Sequence, residues 1–187
     1  QIRYAQGKPD FFERNHFMVT DWIPANTKKG FVIPITEELV ADKGAYQTDK
    51  RTLKKTIWFY HRVIDLMDKQ GKKPKEILAL LSKVPVLGIQ SDEATYLTAN
   101  YFRAHEGEIR GKLPSVSIVM FVRNILNIPT LVSHMGFLIQ KNGKLYLNHA
   151  PQAKPWKVQE QLLEDYFKDM DAHRAPVEGL LILKIAA

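Results

Sequence analysis

Asn142-Gly143, set between two apolar and β-prone runs, constrains this chain more than any other pair of residues. The dipeptide favours a two-residue hairpin turn whose central residues both need positive φ, which Asn and Gly tolerate. Taking them as the loop fixes a register: Lys141 faces Lys144, Gln140 faces Leu145 and Gly136 faces His149. Side chains alternate along a strand, so His134, Gly136 and Leu138 share a face with Leu147 and His149. His134 becomes the diagonal neighbour of His149, roughly 7 Å away backbone to backbone and within reach of rings. Gly136 is expected to leave open space beside both. Two imidazoles over a glycine gap make a candidate site.

Several readings of that pair stay open on the residues alone. A histidine in a strand is commonly a hydrogen-bonded structural residue, and a slip of one residue puts the rings on opposite faces. A metal centre needs a third ligand, and no His or Cys lies within a few residues to supply it, so no metal is expected. A base oriented by a second polar group is the other common use of such a pair.

At 187 residues, 45% hydrophobic and 25% charged, the chain reads as one globular domain with a sizeable core. No apolar run reaches membrane-spanning length, and the first residues do not read as a secretory signal. The sequence opens on Gln1 and reads as trimmed. A net charge of +7 suits an anionic partner, but the lysines are scattered as Lys28-Lys29, Lys54-Lys55 and Lys72-Lys73. No nucleic-acid module accompanies them, so no nucleic-acid partner is expected. There is no cysteine, hence no disulfide framework. No phosphate-binding glycine loop appears either, so nucleotide chemistry has little support.

Along the chain, Gly7 and Pro9-Asp10 mark a turn. Phe11, Phe12, Phe17 and Trp22 then mix with Arg14, Asn15, His16 and Asp21, which reads either as a ligand-binding wall or as a buried loop. Pro34 limits any strand over 31–40 to a short or edge strand. Residues 41–56 read as loop. Tyr60, Val63, Ile64 and Met67 give one face of a helix ending before Gly71, and Pro74 opens a second that stops before Pro85. Together they suggest a helical insertion over 57–85. Ala94 to Phe102 looks strand-like, and Val116 to Val122 is a β-rich buried run. Leu163, Tyr166, Phe167 and Met170 mark a late helix, and Gly179 introduces a final strand.

A family resemblance rests on more than the hairpin. Val-Ser-His-Met-Gly-Phe, with the His of Leu-Asn-His-Ala fifteen residues after the first His, resembles the His-Val-Gly … His-Ala signature of NlpC-type cell-wall hydrolases. These are bacterial papain-like cysteine amidases and peptidases. Ile2 to Gly7, Arg14-Asn15-His16-Phe17, Asp21-Trp22, Asn26 through Gly30-Phe31-Val32, Leu113-Pro114-Ser115 and the closing Gly179-Leu180-Leu181 are similar to the N-acetylmuramoyl-L-alanine amidase-like branch. The likeness is weakest over 41–112.

The resemblance implies an α+β, papain-like core with a central antiparallel sheet, flanking helices and a small helical insertion. It implies His134 as the general base toward a cysteine thiol and His149 as the group that orients it. Tyr4, Arg14, His16, Asp21 and Trp22 are the expected substrate-binding residues, Trp22 by stacking and Arg14 by charge-assisted hydrogen bonds. No cofactor is implied. The implied substrate is a muropeptide or peptidoglycan fragment, cut between N-acetylmuramic acid and L-alanine, in the bacterial envelope, periplasmic or secreted. The sequence departs from the family in having no cysteine, so the nucleophile is expected upstream and the 187 residues alone are expected to be inactive. The alternative is a catalytically inactive cell-wall or glycan-binding relative. Neither Ser115 nor Ser133 is read as the nucleophile, since Ser133 is expected on the face away from His134.

Overall fold

The structure is a computed structural model that describes residues 12, 14–126, 128–151, 157–172 and 175–186. After a π-helical turn at Met18–Trp22 come helix α1 (Ile23–Lys28) and the short strand β1 (Val32–Pro34). Strand β2 (Tyr46–Lys54) leads into helices α2 (Lys55–Lys69) and α3 (Pro74–Leu81), and β3 (Ile89–Thr98) returns beside it. Helices α4 (Ala99–Ala104) and α5 (Glu106–Lys112) follow. Then come β4 (Val116–Arg123), β5 (Val132–Lys141), β6 (Lys144–His149), β7 (Gln159–Leu162), α6 (Leu163–Asp171) and β8 (Val177–Ile185).

The eight described strands form one antiparallel sheet, seven in the order β2-β3-β8-β4-β5-β6-β7 and β1 paired to β8 off that path. β8 pairs with β4 along one side, while β3 and β1 share its other side at opposite ends. Pro34 ends the three-residue β1, as a residue without an amide hydrogen must. The fold is thus α+β with a large antiparallel sheet and flanking helices.

Alternation along β4 divides the core. Val119 and Phe121 face a layer made by α4, α5 and α6, with Phe102, Ile109, Leu163, Tyr166 and Phe167 buried against them. Ile118, Met120 and Val122 face the other way, onto Trp22, Val32, Tyr96, Leu181 and Leu183. A third cluster, Phe17, Leu53, Phe59, Val63 and Val84, ties α2 to the end of β2.

Three expectations need correction. Residues 46–54 form a strand rather than a loop, because β2 is paired with β3 over nine consecutive positions. In the helix after it Val63 and Met67 pack inward as expected, but Phe59 is buried with them while Tyr60 and Ile64 are exposed. Strand β3 ends at Thr98, whose hydroxyl accepts the Tyr101 amide and starts α4, so 99–102 is helical. The two central helices bridge β2 and β3 at one end of their ribbon.

Gly179 cannot be replaced by a larger residue, since a Cβ there would lie 2.0 Å from Tyr96 Cδ2. The close approach seats the Tyr96 ring over β8.

Candidate functional site

The hairpin β5–β6 adopts the register that its turn demands. Lys141 faces Lys144, Gln140 faces Leu145 and Phe137 faces Asn148, with Asn142 at φ 51° and Gly143 at φ 70°. His134 Nε2 and His149 Nδ1 are 2.7 Å apart, on one face of the sheet. The rings meet edge to face, with centroids 5.0 Å apart and planes at 80°.

The space beside Gly136 is not open. A Cβ there would meet Asn148 O at 2.7 Å, Leu147 Cδ1 at 2.8 Å and His149 Cβ at 3.0 Å. The glycine lets β6 close in on β5, which brings His149 to hydrogen-bonding distance across a diagonal that otherwise separates the rings.

Aromatic packing fixes the pair from the helix side. Phe121, directly opposite His134 on β4, lies nearly parallel to its ring at 6.2 Å. Tyr166 of α6 lies nearly parallel to it at 6.0 Å and edge-on to His149 at 5.5 Å. Burial pushes the Tyr166 hydroxyl up to about 12 and keeps it protonated. Burial also drives His134 down from 6.5 to about 4, helped by the neighbouring His149 and Arg123, and burial lowers His149. Both imidazoles are therefore neutral at pH 7.

Beside the pair lies a cavity of about 590 Å³, walled by Arg123, Ile125, Ile128, Gln159, Tyr166 and Met170. Ser133 also reaches this wall. It is skipped where the β4–β5 register shifts after Phe121, and its hydroxyl donates to Phe121 O at 3.4 Å, contrary to the expectation that it faces away. Gln159, opposite His149 on β7, brings its amide to 3.4 Å from His149 Nε2.

That contact decides what His134 can do. If Gln159 donates to His149 Nε2, then His149 Nδ1–H donates to His134 Nε2, and His134 Nδ1 holds a proton and is no base. If the amide is turned so that its oxygen accepts from His149 Nε2–H, then His134 Nε2–H donates to His149 Nδ1. His134 Nδ1 then carries a free lone pair. Gln159 is invisible to sequence reasoning, because only strand pairing with β7 puts it there.

The expected substrate-binding residues do not gather at this cavity. Trp22 is buried on the opposite face of the sheet, among Tyr96, Met120 and Val122. Asp21 forms an ion pair with Lys55, a buried cation that also sits 5.0 Å from the Phe17 ring centroid. His16 packs on Trp58 and Phe59, with centroids at 5.2 and 5.3 Å. Arg14 is exposed and does not line the cavity either. The physical reason is that segment 16–32 covers the Met120 face, while the histidines occupy the Phe121 face. Tyr4 lies outside the described residues.

Among the described residues, no group of three or more His, Cys, Asp or Glu is arranged to hold a metal. What the pair and its cavity offer is a buried neutral base with an oriented partner. The sequence matches the profile of the AmiA-like, N-acetylmuramoyl-L-alanine amidase-like family over residues 1–173. The chain belongs to this family.

Solved structures agree with that membership at the level of fold. A Legionella pneumophila protein superposes with a TM-score of 0.81 at 22% identity, over 100% of this chain and 67% of its own. An N-acetylmuramoyl-L-alanine amidase from Bacteroides uniformis superposes at 0.56, also at 22% identity, over 100% of this chain and 70% of its own. No curated protein matches the chain. The histidine pair is thus found in an AmiA-like, amidase-family chain that itself holds no cysteine.

Proposed function

We propose that this AmiA-like chain is the larger part of a peptidoglycan-fragment amidase, of the NlpC-type papain-like class, that cleaves the amide between N-acetylmuramic acid and L-alanine. The observation that carries the reading is the 2.7 Å contact between His134 Nε2 and His149 Nδ1 at the wall of an open cavity. Family membership supplies the substrate class.

In this mechanism His149 holds the proton on His134 Nε2 and leaves His134 Nδ1 as base. A cysteine from outside these 187 residues occupies the cavity and gives its thiol proton to Nδ1. The thiolate attacks the lactyl carbonyl carbon, and the carbon–nitrogen bond breaks as Nδ1–H protonates the leaving amine. Water, deprotonated by the same nitrogen, then hydrolyses the thioester and restores the thiol. The reaction takes place in the bacterial envelope, outside the cytoplasm. No described helix is long and apolar enough to cross a membrane.

A second reading, a muropeptide-binding relative without catalysis, is favoured by the lack of any cysteine. One experiment separates the two. The 187-residue chain, a protein extended upstream through a cysteine, and that protein with Cys→Ala are assayed for release of L-alanyl peptide from muramoyl peptide. Activity in the extended, unsubstituted form alone supports the amidase. Equal activity in the 187-residue chain, or none in any form, overturns the cysteine mechanism.

A further inference from the structure

A second groove, of about 460 Å³, runs along the start of α2, between Lys54, Ile57, Trp58 and His61 on one side and Ile128 and Pro129 on the other. Two observations connect it with the histidine cavity. Ile128 lines both spaces. The β4–β5 connection that carries Ile128 is also held from below by a cross-strand pair, Arg51 of β2 and Asp92 of β3.

Arg51 Nη1 donates to Thr130 O at 2.7 Å and to Ile128 O at 3.3 Å, while Nη2 donates to Arg123 O at 3.0 Å. Asp92, buried, accepts the Leu131 amide at 2.6 Å. Charge-assisted bonds to consecutive stretches of backbone give this wall a fixed shape. The groove is therefore a built feature, not a gap under a loose loop.

Its chemistry is uneven. The floor is apolar: Ile57 and Ile128 are exposed, and the Trp58 ring is held edge-on by Phe17 at 4.9 Å and Phe59 at 5.3 Å. The rim is cationic. Asp65 is its only carboxylate among the described residues, and both Arg62, at 3.0 Å, and Lys69, at 2.9 Å, pair with it. Lys54 makes no ion pair among the described residues, and His61 is exposed beside it. An apolar floor with an uncompensated cation fits a chain segment that has apolar side chains and a carboxylate.

Resting on the amidase reading, we infer that this groove is a second subsite, taking the carboxylate-bearing end of the stem peptide of the same substrate. From the scissile amide a muramoyl peptide extends in two directions. The muramic carboxyl is consumed in the amide, so the peptide arm alone carries free carboxylates. That arm passes over Ile128 and reaches Lys54, while the sugar stays on the histidine side.

The test is calorimetric binding of muramoyl-L-alanine and of muramoyl-tripeptide to the chain, which needs no nucleophile. The tripeptide binds more tightly to the unsubstituted protein. Lys54→Glu weakens the tripeptide about tenfold, and by at most twofold the single-residue ligand. Ile57→Ser, at an exposed position, shifts the same difference in the same direction. Lys75→Glu, an exposed charge reversal on α3 away from the groove, leaves both affinities as they were. Equal weakening of the two ligands by Lys54→Glu, or none, overturns the second subsite and leaves the histidine site standing. Failure of both ligands to bind the unsubstituted protein overturns the amidase reading and the subsite together.

Discussion

The β5–β6 hairpin and the β2–β3 ribbon are both long antiparallel pairs, yet they hold their partners differently. In the hairpin, register comes from a two-residue turn, and one face is buried: Leu138, Leu145 and Leu147 all lie in the main core. In the ribbon the strands are joined through two helices, and along β2 only Leu53 is fully buried. Its cross-strand neighbours are polar, such as Thr48 with Thr95 at 2.8 Å and Lys50 with Glu93 at 3.2 Å. The hairpin places chemistry through its own side chains, whereas the ribbon acts at a distance, by gripping the backbone of another segment. A site can thus depend on a region that contributes no group to the reaction.

The widest separation between the two regions is expected in catalysis. In a form that carries the thiol, His134→Ala should lower kcat for muramoyl-peptide hydrolysis by about a thousandfold or more, as loss of a general base does. Steady-state assays of peptide release check this, and a drop below tenfold would move the base elsewhere. Substitutions on the ribbon should stay far below that effect.

Gly136→Ala comes next and acts on the hairpin alone. Its Cβ has backbone and side-chain atoms within 3.0 Å, so β5 and β6 must part, at a cost of about 1–3 kcal/mol. Urea denaturation measures the loss, and nuclear magnetic resonance should show the two imidazoles uncoupled. An unchanged midpoint would mean that the strands already have slack there.

Arg51→Ala is the comparable break on the ribbon. Removing a guanidinium that serves three carbonyls should cost about 1.5–3 kcal/mol. Hydrogen exchange should rise at Leu131 and Arg123, two amides in and beside the connection, while the hairpin amides keep their protection. Uniform loss across the sheet would deny that the ribbon acts locally.

The last expectation is a pH slope. Both histidines titrate lower in the folded state than in the unfolded chain. Above about pH 6.5 neither state takes up the proton, and stability is unaffected. As pH falls from 6.5 toward about 4, the unfolded chain binds protons that the folded chain refuses, so stability declines across that window. His134→Phe should flatten the decline between those values in urea midpoints taken against pH. A decline just as steep in that variant would assign it to other groups.

The same contrast explains what the sequence makes legible. The hairpin, the Leu163–Met170 periodicity and the Gly179 strand all follow from short-range patterns, because turn chemistry and burial period lie within about ten residues of each other. Strand β2 does not, since Tyr-Gln-Thr-Asp-Lys-Arg-Thr-Leu-Lys shows no alternation and has Tyr46 and Leu53 alone as apolar residues, and only β3 gives it a partner. The aromatic and polar density at 11–22 reads two ways in the sequence, and within it Trp22 closes one face of the sheet and Asp21 neutralises Lys55. The pair of histidines was legible. The amide of Gln159 and the grip of Arg51 on a distant backbone were not, because both arise from tertiary pairing.

That grip has a consequence for the order in which the molecule assembles. The Leu131 amide meets Asp92 across 39 residues, and Thr130 O meets Arg51 across 79. Closing such long loops costs entropy that nearby contacts do not, so turn-directed pairing in the hairpin precedes them. His134 and His149 can then face each other while the wall beside them is still unformed. In pulse-labelled exchange during refolding, Leu131 should gain protection after the hairpin amides, and its delay marks the moment when the cavity acquires its shape.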